Sequence, residues 1–415
     1  MLEDYFRSSR TIARNRSGSV GPFVDSFAQE LEAAGYSRHT IRSHLGVACH
    51  LGHWIDRKGL LLPNLDQGLF LGFRRHLPHC RCRPNYGRYV EQVPASLRLF
   101  RDHLVRIGMM AGPLSMSEGT KKGKLQSEFE QWMIQNRGIV PRTLEQYRPA
   151  IASFLDFIGG DPGQLDSDKI RQFILDRAER HGTCNLKGAT TAVRTFLRYL
   201  VAEGKCRAGL DAALPPVAQW RLSTLPRYLP AGDVERIVGI YDSRSPNDLR
   251  NRAIVLLLAR LGLRASDVAG LRLADVDWKK ATLCLSGKGR REALLPLSQE
   301  VGDALIDYLL HGRPAIDSDR VFIRSIAPLL PFSNSGLISK LVRRAIQRAG
   351  VATPSRGAAH LLRHSAATEM LRQGMSLQDI GAILRHRSVE TTNIYAKVDP
   401  RLLRLVVQPW PGEAK

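Results

Sequence analysis

The run His-Leu-Leu-Arg-His at residues 360–364 sets three basic side chains into a stretch that is otherwise apolar or small. At roughly 3.6 residues per turn, His360 and Arg363 share a helix face and His364 lies nearly over His360. A core helix has no use for such a face, so it is either solvated or set against an anion. Other basic or nucleophilic groups stand at punctuated positions. Arg264 and Asp267 lie at a turn leading into a helix, and Lys288 sits between two glycines at a hairpin tip. His386 lies in "ILRHRSVETTNIYAKV", and Tyr395 follows on a short helix begun by Ser388. This set suits a phosphodiester. Attack on phosphorus places charge on the non-bridging oxygens, which fixed Arg and His donors stabilise. A tyrosine can form a covalent phosphoester, dividing one hard step into two. Its hydroxyl ordinarily titrates at about 10, and a dense cationic site is expected to favour the phenolate. A lysine at a hairpin tip can protonate a leaving 5′ oxygen. The region has no Asp/Glu cluster resembling a magnesium site, so the expected chemistry uses no metal and no cofactor.

Elements must hold these groups. Residues 248–271 read as a buried helix, a turn at Gly262 and a second helix with Ser266 as N-cap. Residues 281–298 read as two short strands joined by a Gly-Lys-Gly-Arg turn, and the remainder to about 398 as helix. Two breaks divide the chain. "GPLSMSEGTKKGK" at 112–124 reads as a linker, and prolines crowd residues 214–230. The pieces are 1–112, 118–208 and 220–415. The first two look like copies: 40–55 aligns with 143–158, 64–73 with 164–173 and 97–108 with 193–204, in the same order. Each shows apolar residues at helical spacing, as a small bundle requires, with Thr40 and Thr143 at expected N-caps.

Composition narrows the partner. The 415 residues carry 61 Lys and Arg against 39 Asp and Glu, a net charge of +22. Most of the cations are Arg, which suits bidentate phosphate contact, so nucleic acid leads and an anionic membrane surface follows. No segment reaches the roughly 18 apolar residues of a spanning helix, and the N-terminus lacks a signal-peptide core. Six cysteines make no disulfide framework. A reduced, cytoplasmic protein is expected.

The stretches "GLRASDVAGLRLADVDW", "SGKGRREALLPL", "HLLRHSAATEML" and "LRHRSVETTNIYAKV" together resemble the catalytic domain of tyrosine recombinases, the phage-integrase family, over about residues 220–400. The resemblance implies an α+β architecture, mainly α with a small antiparallel sheet in the catalytic domain, behind helical SAM-like N-terminal domains. It implies that Arg264 and Arg363 clamp the phosphate, with Asp267 supporting them from behind. Lys288 would be the general acid. His360 would contact the phosphate or move a proton to or from Tyr395, and His386 would donate to the phosphate. Tyr395 would attack, giving a 3′-phosphotyrosyl link and a free 5′ hydroxyl. His364 is read as a structural hydrogen-bonding residue. Where the family usually has Gly before the third-motif histidine, this chain has Arg385, which leaves the local backbone open and offers a further phosphate contact. Residues 118–208 resemble the core-binding domain, with Arg142, Lys187 and Arg194 as DNA-binding candidates. Residues 1–112 are an extra copy for DNA binding or assembly.

The function expected is site-specific cleavage and rejoining of double-stranded DNA carrying inverted-repeat half-sites, for a mobile element. A dimer would bind one site and a synaptic tetramer would join two, with partner recombinases or DNA-bending proteins as further candidates. A type IB topoisomerase or telomere resolvase shares the chemistry; relaxation of any supercoiled plasmid would mark the former. A non-catalytic DNA-binding accessory protein is the rival from another class, and the intact set of candidate residues argues against it. A weaker signal is "RRHLPHCRCRPNYG", where His76, His79, Cys80 and Cys82 gather soft ligands. The spacing matches no common zinc finger, and a basic loop with two partly buried thiols is the favoured reading. Cys49, Cys184, Cys206 and Cys284 are scattered and read as small packing residues. Leu402, Leu403, Leu405, Val406 and Val407 form an apolar patch after Tyr395, read as docking on a neighbouring protomer.

Overall fold

The computed structural model describes residues 1–60, 67–80, 93–110, 121–182, 186–216, 225–286, 292–352, 357–386 and 388–398. The hairpin tip with Lys288, the apolar patch at 402–407, Cys82 and Cys184 lie outside them. The chain divides into two compact units. Met1–Leu61, Gln67–Phe100 and Arg221–Lys415 form one; Leu62–Asp66 and Arg101–Trp220 form the other.

The chain begins with α1 (Leu2–Tyr5), α2 (Ser9–Ser17), α3 (Gly21–Ala33), α4 (Arg38–Lys58), α5 (Gln67–His76) and α6 (Val93–Arg106). Ser37 caps α4, its hydroxyl accepting from the N–H of Thr40 at 3.3 Å. Thr40 is therefore in the first turn rather than at the cap. Thr143 holds the equivalent place in α8, where Val140 is the cap and Pro141 opens the helix. The N-terminal helices meet the later part of the same unit at a main-chain hydrogen bond, Leu329 N–H to Ala34 C=O at 2.9 Å.

The second unit holds α7 (Lys121–Arg137), α8 (Pro141–Phe157), α9 (Ser167–His181) and α10 (Leu186–Ala202). Residues 121–124, expected in the linker, are the first turn of α7. The core is aromatic: Phe154 meets Phe173 at 5.0 Å, and Phe129 meets Phe196 at 5.2 Å, both edge to face. It runs on past 208 to Leu210 and Leu214. Full burial of each such side chain contributes about 2 kcal/mol.

The remaining helices of the first unit are α11 (Ala231–Gly239), α12 (Pro246–Ala259), α13 (Ala265–Gly270), α14 (Gln299–Asp307), α15 (Ser335–Arg348), α16 (Ala358–Arg372), α17 (Leu377–Ile383) and α18 (Val389–Thr392). Between α13 and α14 lies an antiparallel sheet of β1 (Val276–Asp277), β2 (Thr282–Ser286) and β3 (Glu292–Pro296), in that order. Leu283 pairs with Leu295, and both are buried. Helix α12 is the centre of this core, with Ala253 to Leu258 fully buried. Its C-terminal half is apolar all round because other elements surround it. Residues 313–334, expected as helix, are irregular apart from isolated bridges Arg272–Arg320 and Ile323–Pro331. Arg313 satisfies carbonyls there, donating to Ser318 at 2.7 Å and Arg320 at 2.9 Å. Among the described residues, Cys49, Cys80, Cys206 and Cys284 are free thiols, and no helix is long and apolar enough to cross a membrane.

Candidate active site

The turn at Gly262 ends α12 and delivers Arg264 to the mouth of α13. Gly262 has φ +59°, and a Cβ there would come within 2.6 Å of the Leu384 side chain. Glycine is thus required twice, for the conformation and for the close approach. Arg264 is the N-cap of α13, and its own N–H donates to the Asp267 carboxylate at 3.1 Å. Ser266, expected as that cap, lies within the first turn.

Arg363 sits on the buried face of α16, 4% exposed. Its terminal nitrogens donate to the carbonyls of Gly262 and Leu384. Arg264 donates to the carbonyl of Arg385 at 2.7 Å. Both arginines therefore hold the single turn at 384–385. Arg385, where the resemblance leads one to expect glycine, has φ +53°. The left-handed backbone is kept without glycine. Its guanidinium turns inward onto the Asp267 carboxylate, and the side chain is 10% exposed. The second terminal nitrogen, Nη1, is buried without a hydrogen-bond partner. A charge-assisted pair in that setting offsets the roughly 1 kcal/mol of a strained φ.

Tyr395 follows α18 on a 3₁₀ turn and is 1% exposed. Its hydroxyl hydrogen-bonds to His364 Nδ1 at 2.8 Å. The His360 ring meets His364 edge on at 5.2 Å, and the His386 ring lies parallel to Tyr395 at 6.5 Å. His386 Nδ1 in turn bonds the Thr392 hydroxyl at 2.7 Å. The partner of Tyr395 is thus His364, one turn beyond His360, on the same helix face. Thr392 was not singled out from sequence. Its spacing of three from Tyr395 on a short helix is the only local sign of it.

Electrostatics here run against the expected phenolate. Burial pushes the Tyr395 hydroxyl up to about 12, outweighing the downward pull of Arg363. Burial first, then repulsion from neighbouring ionisable groups, Arg363 among them, holds His364 and His386 down at about 4. Both are neutral at pH 7. Arg363 itself is lowered to about 10 by burial, with the Arg264 guanidinium adding to the shift. Such a crowd of like charge is complemented by an anion.

The other candidates lie in separate places. Arg142 and Lys187 are exposed on α8 and α10, and Arg194 donates to the Leu214 carbonyl at 3.2 Å. His79 is exposed, whereas His76 and Cys80 are half-buried. Lys288 is outside the described residues.

Residues 227–401 match a family model described as the phage integrase family. The chain is 36% identical over 421 residues to a Sinorhizobium fredii protein named as an integrase/recombinase (y4rA), covering all of both chains. It is 29% identical over 287 residues to a tyrosine recombinase XerC of Lactobacillus delbrueckii subsp. bulgaricus, covering 66% of this chain and 94% of that one. Its fold is similar to a crystal structure of the XerH site-specific recombinase bound to palindromic difH substrate in a post-cleavage complex. That match has TM-score 0.55 and 20% identity, over 68% of this chain and 83% of that one.

Proposed function

The chain belongs to the phage integrase family of tyrosine recombinases, and from that premise we propose how its residues cut and rejoin DNA. It is a site-specific recombinase. The observation that carries the assignment of its centre is the Tyr395 hydroxyl at 2.8 Å from a neutral imidazole, beside a buried arginine that no carboxylate pairs among the described residues. Arg264 and Arg363 bind the non-bridging oxygens of one phosphodiester, with His386 donating alongside. Asp267 keeps Arg264 and Arg385 in place. The Tyr395 oxygen bonds to phosphorus as the bond to the 5′ oxygen breaks. The phenol proton passes to the His364–His360 pair, and Lys288 supplies a proton to the 5′ oxygen. The 3′-phosphotyrosyl ester conserves the phosphoester, so a 5′ hydroxyl re-forms the strand by the reverse step without ATP.

The domains of this reading are 1–112, 118–208 and 220–415, the last catalytic. Arg142, Lys187 and Arg194 contact backbone phosphate. The palindromic substrate of XerH supports inverted half-sites, and the lambda integrase dimer on a core site and tetramer on a Holliday junction support a dimer on one site and a tetramer joining two. The extra N-terminal copy favours a mobile-element role in the cytoplasm, with partner recombinases or bending proteins as further components.

The test starts from duplexes selected by the full chain out of a random library, nicked within the bound region to trap the intermediate. The wild-type chain is expected to give a detergent-stable protein–DNA adduct. Tyr395→Phe should bind the same duplexes with unchanged affinity and give none. Adducts persisting in that variant would remove Tyr395 from the nucleophile's role.

A further inference from the structure

Outside the catalytic centre, His50, His76 and Cys80 bring one ligand atom each to within 4.8 Å of the others. They come from separate elements of the N-terminal module. His50 projects from the buried face of α4 and is 1% exposed. His76 is the last residue of α5. Pro78 then forces a 3₁₀ turn, Leu77–His79, which closes with the Cys80 N–H on the Leu77 carbonyl at 3.3 Å. That turn folds Cys80 back beside His76 and sets its sulfur 3.3 Å from His50 Nε2.

We propose that His50, His76 and Cys80 form a zinc site that staples α4 to the end of α5. Tetrahedral zinc with bonds of about 2.1 Å to nitrogen and about 2.3 Å to sulfur puts neighbouring N and S ligands roughly 3.6 Å apart. The observed thiol–imidazole separation of 3.3 Å is close to that edge, and the remaining ligand pairs lie within 4.8 Å. The donor set, two imidazoles and one thiolate, is borderline-soft and suits zinc over magnesium or calcium. Aromatic rings wall the cluster. Phe73 lies 5.1 Å from His50, and Trp54 lies 6.1 Å from His76. An apolar wall of this kind limits water and strengthens metal–ligand attraction. The site differs from the sequence-level gathering of four ligands: His50 enters from a distant helix, and His79, exposed, stays out.

The full chain, purified with reductant from zinc-supplemented cells and dialysed against metal-free buffer, is the material for the test. Plasma emission should find about one zinc per chain. Replacement by cobalt should produce a thiolate-to-cobalt charge-transfer band. His79→Gln should keep both signals, whereas Cys80→Ser should lose the band and most of the metal. A wild-type chain with neither zinc nor the cobalt band overturns the site, whatever the variants do. So does a Cys80→Ser chain that keeps the band. Circular dichroism of each variant identifies any that fail to fold; the wild-type measurement decides regardless.

Discussion

Arg363 donates one terminal nitrogen to Gly262 and the other to Leu384, so a single guanidinium ties the end of α12 to the end of α17. Its planar fork suits both this bridge and a phosphate with two free oxygens; an ammonium is a point donor and can serve only part of either task. Arg363→Lys is therefore expected to act twice. Unfolding in urea should show a loss of about 1–3 kcal/mol, from a buried carbonyl left without its donor. Adduct formation in a single turnover should slow by about 100-fold, from weaker stabilisation of the developing charge. A variant with native stability and native rate would mean that the guanidinium holds neither the turn nor the phosphate. The neighbouring imidazoles carry a pH signature. His364 and His386 are held at about 4, below the ordinary value for histidine, so the unfolded chain takes up protons first. The stability they contribute is complete above about pH 6.5 and is lost as pH falls toward about 4. Melting followed from pH 7 to pH 5 should show the midpoint drop by about 3 °C or more, and His364→Asn should reduce that drop.

The turn at 384–385 is where local sequence and observed backbone disagree, and it can be tested as an element. Arg385→Gly and Arg385→Ala both remove the ion pair with Asp267, but only glycine removes the cost of φ +53°. The glycine variant should be the more stable of the two by about 1 kcal/mol in urea unfolding. Equal stabilities would show that the left-handed turn is absent from the folded protein in solution. This region also shows what the sequence could convey. The helices around Arg264, His360 and Arg363 were legible because punctuation by Gly262 and apolar periodicity are local signals, whereas the ordered set that ends at His386 and Tyr395 was read through the family resemblance. The hydrogen bond of His364 to Tyr395 was not legible, since it depends on how α16 packs against a 3₁₀ turn 31 residues away. The caps failed for a similar reason: Thr40 and Ser266 are good capping types, but Ser37 and Arg264 hold the positions where the backbone leaves the helix. Burial likewise reversed the expected ionisation of Tyr395, because composition reveals cations but not the loss of water.

Across the whole molecule, the aligned blocks of the two N-terminal pieces fall on helices of the same order: 40–55 on α4 and 143–158 on α8, then α5 with α9 and α6 with α10. A net charge of +22 points to extensive phosphate contact. Affinity for a selected duplex, measured from low to moderate salt, should fall with a log–log slope of about −5 or steeper. A slope near zero would mean that the charge serves something other than DNA. A chain this cationic brushes against far more unrelated duplex than its own sites. On the proposed assignment of Tyr395 as nucleophile, its place out of water against His364 should leave those passing encounters without a cut.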